Sequence, residues 1–128
     1  MKSISLTTEI LMLYFISERR NMKKYTELEL RSIIEKHSLW LAGDPNGERA
    51  NLSRANISGA DLSNADLREA DLSGANISTS DLRGAILCRS DLTRANISGA
   101  DLTEADLSGA NINETTLREA NLHLKKKK

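Results

Sequence analysis

ANLSRANISGADLSNADLRE, residues 50–69, says one five-residue phrase four times, and the phrase continues to residue 124. Stepping by five from Leu52 lands on Leu52, Ile57, Leu62, Leu67, Leu72, Ile77, Leu82, Leu87, Leu92, Ile97, Leu102, Leu107, Ile112, Leu117 and Leu122. Every one of these is Leu or Ile. Two places before each stands Ala, except at Ser80, Ser90 and Thr115. The position between is Asp or Asn, except at Ile86 and Thr116. The other two positions are mostly Ser, Thr, Arg, Gly and Glu, so the phrase reads A-(D/N)-(L/I)-x-x.

A strict period of five fits neither ordinary element. On an α-helix a five-residue step turns about 500°, which smears the leucines over every face. On a flat strand an odd step sends them to alternate sides. Ala and Leu are strong helix formers, but the pattern overrides propensity. Each pentapeptide has to be one short extended piece plus one turn, wound so that Ala and the central Leu or Ile face a common axis. Asn-Ile-Ser recurs at 56–58, 76–78 and 96–98, and RANISGADL at 54–62 returns at 94–102. Intervals of 20 predict four repeats per coil. Residues 50–124 then make just under four coils, stacked about 4.8 Å apart as paired strands are. Asp and Asn beside the turns are expected to bond local amides. Ser80, Ser90 and Thr115 point inward and have to find backbone partners.

The motif over residues 50–124 resembles the pentapeptide-repeat family. The resemblance implies an all-β solenoid, a right-handed quadrilateral β-helix.

Outside the repeats, residues 26–41 read as a helix. Thr26 and Glu29 form a capping box. Leu30, Ile33, Ile34, His37 and Leu41 share a face with Trp40 beside it, and Gly43 and Pro45 end the run. Ile33–Asn51 also resembles the segment that precedes the first coil in family members. A β-helix end exposes unpaired backbone and an apolar cross-section, so Ile33, Ile34, His37, Trp40 and Leu41 are expected to cap it, with the helix and its loop spanning 26–49. With His123 far off along the chain, His37 reads as a packing residue and not a metal ligand. Residues 1–25 form an N-terminal extension. Within it, 1–21 reads as translated leader, because Met22-Lys23-Lys24 resembles a bacterial start. Residues 125–128 are a lysine tail after a last coil that no helix follows. Two states are consistent with that end: a monomer with a charged edge, or a weak end-to-end dimer through the C-terminal coil.

Composition narrows the chemistry. Basic and acidic residues balance at 18 each. Residues 50–124 hold seven Asp and four Glu against six Arg and no Lys, a net of −5. A single cysteine, Cys88, excludes an internal disulfide framework and fits a reducing, cytoplasmic setting. The apolar run Ile10–Ile16 is too short to cross a bilayer, so no membrane role is expected. Seven Asp at one motif position are a product of the repeat and not a catalytic pair. The glycines sit at repeat turns and form no phosphate loop. No catalytic residue, cofactor or metal site is expected, and the chain reads as a non-enzyme. One repeat breaks the pattern: Ile86, Cys88 and Arg89 mark a candidate contact patch, with Ile86 expected to be exposed.

The expected role is a rigid scaffold that shows flat polar faces to a protein partner, which the sequence does not identify. The alternative is DNA mimicry directed at DNA gyrase, which the resemblance implies for some members. Against it stand the missing axial Phe, the small number of coils and the interleaved arginines, since a phosphate-like surface needs dense charge of one sign. Direct nucleic-acid binding is not expected.

Overall fold

Each pentapeptide turns one corner. The amide of Ala55 donates to Leu52 O (3.1 Å), and the same bond recurs from Ala65 to Leu62 and from Ala75 to Leu72. The residue just before each such Ala has positive φ, as a type II turn requires of its third residue. At Arg54, Asn64, Thr79, Arg89 and Glu104 a side-chain-bearing residue accepts that conformation, with φ between 56° and 62°. Extended pieces between corners are too short to pair as regular strands. They join by single parallel bridges, Asn51↔Asp71, Asn56↔Asn76, Asp61↔Asp81 and Asp66↔Ile86, each to the residue 20 further on. Two amide bonds build each bridge: Leu52 donates to Asp71 O (2.8 Å) and Asp71 to Ala50 O (3.1 Å). Four pentapeptides therefore make one coil with four sides.

The computed structural model describes residues 7–13 and 22–126. Residues 7–13 are helical. The expectation that 1–21 is a leader falls mostly outside the described residues. Next come β1 (Lys23–Lys24), α1 (Glu27–Leu41) and β2 (Ala55–Asn56). β1 pairs parallel with β2, Lys23 against Ala55, so this short piece joins the first coil at its upper edge. Lys23 Nζ also lies over the Tyr25 ring, 4.9 Å from its centre.

The core is the axis. From Leu52 to Leu102 every axial Leu and Ile is buried, with Ala50, Ala55, Ala70, Ala75, Ala85, Ala95, Ala100 and Ala105 at the corners. The inward hydroxyls are satisfied: Ser80 donates to Ile77 O (2.7 Å), Ser90 to Leu87 O (2.8 Å) and Thr115 to Leu92 O (2.7 Å). The last coil differs from expectation. Leu107 and Leu117 are only half-buried, and Ile112 and Leu122 are 46% and 42% exposed. They face the axis, but no further complete coil lies beneath them among the described residues.

Helix α1 starts with the expected capping box. Thr26 Oγ1 accepts from Glu29 N (3.1 Å), and Glu29 Oε1 accepts from Thr26 N (3.2 Å). It closes at Ala42, with Gly43 following at φ 78°. The loop then turns back so tightly that a Cβ on Gly47 would collide with the Leu39–Trp40 backbone. Of the cap residues, Leu30 and His37 are buried, and Ile33, Ile34, Trp40 and Leu41 are half-buried.

Candidate functional site

The chemistry of the rod lies on its outer sides, and the Asp/Asn position builds them. Its side-chain oxygen accepts from the amide two residues on and, where that residue is Ser or Thr, from its hydroxyl as well. Asn76 receives Ser78 N (3.1 Å) and Ser78 Oγ (2.6 Å); Asp101 receives Thr103 N (3.0 Å) and Thr103 Oγ1 (2.5 Å). These Asx turns lock the outward polar groups in place. They also set the charge state, because a hydrogen bond to a carboxylate favours its ionised form. The Ser63 hydroxyl and amide hold Asp61 below the usual carboxylate range, and Thr93, Thr103 and Ser108 do so for Asp91, Asp101 and Asp106. At Asp66 and Asp81 the bond comes from the guanidinium of Arg68 or Arg83, each 2.7 Å away, with the same effect.

The four sides differ. The first carries Asn51, Asp71, Asp91 and Asn111, with Arg54 and Arg94 at its corner. The second is uncharged through three coils: Asn56, Asn76 and Asn96 beside Ser58, Ser78 and Ser98. The third is acidic, with Asp61, Asp81, Asp101 and Glu104 against Arg83 alone. The fourth mixes Asp66, Arg68, Glu69, Ile86, Cys88, Arg89 and Asp106, with Arg89 paired to Glu69 across coils at 3.1 Å.

The candidate patch sits on this fourth side in a different form from the one expected. Ile86 is half-buried, because it stacks in line between Asp66 above and Asp106 below. Cys88 is half-buried too, and burial, then the bond its thiol donates to Asp106, push the thiol up from its ordinary value. A raised thiol is a poor nucleophile. Arg89 alone is exposed.

His37 has a structural task. Its Nδ1 accepts from Ala50 N (2.9 Å), so its Nε2 carries the proton donated to Arg68 O (2.8 Å). In the coils below, an amide of the coil above fills the equivalent place, as Glu69 N does for Cys88 O. The imidazole thus substitutes for a missing rung, and Trp40 stacks on it at 5.5 Å. Arg49 Nε likewise donates to Glu69 O (2.7 Å). The spacing of His37 in the amphipathic pattern points to the cap face; only the coil register reveals which carbonyl it meets.

Among the described residues no group of three His, Cys, Asp or Glu side chains is placed to hold a metal ion, and no helix is long and apolar enough to cross a membrane. Two clefts flank Tyr25 between α1 and the first coil, one lined by Glu29, Lys36, Glu48 and Arg49, the other by Leu30, Ile34, Ile57 and Asp61.

The profile of the family described as pentapeptide repeats matches residues 50–89 and 85–123, in 8 copies. Similar solved structures include a pentapeptide repeat protein from the thylakoid lumen of Arabidopsis thaliana. It is 27% identical with a TM-score of 0.54, and the match covers 56% of this chain and 50% of that one. Rfr23 from the cyanobacterium Cyanothece 51142 is 35% identical (TM-score 0.39; 59% and 60% covered). A pentapeptide repeat protein from Nostoc PCC 7120 is 31% identical (TM-score 0.41; 74% and 77% covered). The match thus spans between half and three fifths of the first two of these proteins. No curated protein matches the chain.

Proposed function

The chain belongs to the pentapeptide-repeat family, and from that membership we propose that it is a non-enzymatic scaffold, a right-handed quadrilateral rod that presents one side to a protein partner. The observation that carries this reading is the locking of the outward side chains. An Asp or Asn already held by the amide two residues on, as at Asp61, Asn76 and Asp91, loses little conformational freedom when a partner covers it, and such pre-organisation favours affinity. The four sides offer distinct chemistry at one fixed spacing, which suits recognition of a folded surface better than turnover of a small molecule. Nothing favours the gyrase reading: Arg68 and Arg83 neutralise Asp66 and Asp81 directly, where mimicry of phosphates needs charge of one sign.

The experiment is affinity capture from the native organism with the wild-type chain and one variant per side: Asp91→Lys, Asn76→Lys, Asp81→Lys and Ile86→Asp. A partner kept by three variants and lost by the fourth supports the proposal and names the side. Capture that is identical for all five proteins, or turnover of a substrate by the purified chain, overturns it.

A further inference from the structure

Helix α1 covers the first coil unequally. Leu30 and Ile34 stand over the stretch from Asn56 to Asp61, and further along His37 bonds Ala50 and Arg68. The motif alanines record the result. Through the first three coils each is buried except Ala60 and Ala65, which belong to the third and fourth sides of the first coil. The backbone of the third side is open at the same place. One coil down, Ser78 O accepts from Gly59 N (2.9 Å), Asp81 N donates to Ala60 O (2.9 Å) and Asp81 O accepts from Leu62 N (2.8 Å). The equivalent groups in the first coil are Ser58 O, Asp61 N and Asp61 O, and none has a partner among the described residues. A cleft of about 430 Å³ lies alongside, walled by Leu30, Ile34, Ile57 and Ala60.

The second side shows what such an edge takes. There β1 pairs parallel with Ala55–Asn56, which sets Lys24 above Asn56 in the outward column. Tyr25 follows, half-buried against the core. The chain then leaves the edge for α1 at Glu27, before it reaches the third side.

We propose that the open edge from Ser58 to Asp61 binds an extended segment of a partner protein, parallel to the coil, with a small apolar, a basic and an aliphatic residue in succession. The coil register dictates that order. The residue above Asp61 points outward, as Asp61 does above Asp81, and its two neighbours point toward the axis, as Ala60 and Leu62 do. A basic side chain at the outward place lies one rung, about 4.8 Å, above Asp61. That carboxylate is exposed, and Asp101 and Glu104 continue the acidic side below it, with Arg83 spent on Asp81. Arg31, at the rim of the cleft, is likewise paired to Glu27 at 2.9 Å. The small residue meets the corner at Ala60, and the aliphatic one enters the cleft beside Leu30 and Ile34. Strand addition of this kind draws affinity from main-chain bonds and selectivity from alternate side chains. The inference rests on the reading of the rod as a protein-binding scaffold and narrows it to the upper edge of one side.

Fluorescence anisotropy with the full chain and short labelled peptides centred on Ala-Lys-Leu tests it. The peptide should bind saturably below about 1 mM, the range of weak recognition. An Ala-Glu-Leu peptide should bind about fivefold more weakly or worse, because attraction over Asp61 becomes repulsion. An ester in place of the Lys–Leu amide deletes the N–H aimed at Asp61 O and should cost a similar factor. Asp61→Lys, at an exposed position that circular dichroism should show folded, should reverse the preference in favour of the Glu peptide. No binding, equal binding of the Lys and Glu peptides, an ester without effect, or an unreversed preference overturns the proposal. Binding that appears only once residues 1–21 are removed makes the occupant this chain's own leading segment, and overturns it too. Should the peptides fail while Asp81→Lys still loses a partner in the capture experiment, this inference falls and the scaffold reading stands.

Discussion

The upper and lower ends of the rod begin from the same five-residue phrase and meet solvent in different ways. At the upper end, α1 lies across the first coil, His37 fills in for an absent rung at Ala50 and Arg68, Arg49 takes Glu69 O, and the axial Leu52 is fully buried. At the lower end the axial Ile112 and Leu122 stay exposed. An axial leucine thus owes its burial to the coils on both sides of it and not to its place in the phrase. Repeat proteins are nearest-neighbour systems in this sense: a coil with one neighbour contributes less than a coil with two.

The largest expected effect makes that difference measurable. Leu82→Ala opens a cavity between two coils at a side chain only 1% exposed, and should cost about 2–5 kcal/mol. Ile112→Ala, a comparable truncation on the open coil, should cost about 1 kcal/mol or less, because much of its surface is already in water. Urea titrations followed by circular dichroism give both numbers. A loss below about 1 kcal/mol at Leu82, less than the usual floor for a large core truncation, or equal losses at the two sites, would break the comparison.

Next in size is the cap. His37→Phe keeps an aromatic ring against Trp40 but leaves Ala50 N and Arg68 O without partners, and a buried orphan group costs about 1–3 kcal/mol. Trp40 is the only tryptophan, so its fluorescence reports the cap while circular dichroism reports mainly the coils. In the variant, the fluorescence transition should move to lower urea ahead of the dichroism transition. Coincident, unshifted transitions would show that the imidazole does not hold cap to coil. Gly47→Ala should loosen the same end by a separate route, the clash with the Leu39–Trp40 backbone.

How far the sequence foretells this molecule follows from what a repeat can encode. Fifteen copies of the phrase state which side chains face the axis, and the interval of 20 states the coil size. The capping box at Thr26 and Glu29 states where α1 begins. What the sequence does not state is contact with something outside the pattern. The pairing of Lys23 with Ala55 uses backbone only, and two lysines carry no apolar alternation that would announce a strand. Ile86 breaks the motif and reads as exposed, yet its neighbours lie 20 residues away on either side and half-bury it. Exposure of Ile112 and Leu122 is likewise a matter of missing neighbours, which periodicity cannot express.

Acid sharpens the comparison by acting on the coils. Asp61, Asp66, Asp81, Asp91, Asp101 and Asp106 are all held below the ordinary carboxylate value by hydrogen bonds in the folded chain. A folded value below the unfolded one means that the unfolded chain binds more protons between the two. The contribution is therefore fully present above the unfolded Asp value of about 3.9 and is lost as pH falls below it, through the folded values. These side chains are largely solvated, so each effect is small and their sum is what can be seen. The urea midpoint by dichroism should hold level from neutral pH to about 4.5, just above that unfolded value, then fall. Asp81→Asn with Asp101→Asn should flatten the fall. A midpoint that rises on acidification would contradict the direction of all six shifts.

The smallest effects lie at the corners, where strain is local and the two ends can be compared residue for residue. Thr79 is β-branched at φ 56°, a backbone region such side chains rarely enter. Thr79→Gly relieves that strain at the expense of extra freedom in the unfolded chain and of the Thr79 Oγ1 bond to Ser78 O, and should stabilise by about 1 kcal/mol at most. Glu104 and Glu119 offer a cleaner pair: both are exposed glutamates at φ 62° and 59°, one on the buried third coil and one on the open fourth. Glu104→Gly should stabilise by about 0.5 kcal/mol on the same balance. Glu119→Gly should change almost nothing, because a coil that opens before the rest of the rod no longer carries its strain into global unfolding. Equal gains at 104 and 119 would mean that the open coil unfolds together with the others, and that the absent neighbour costs it far less than its exposed axis implies.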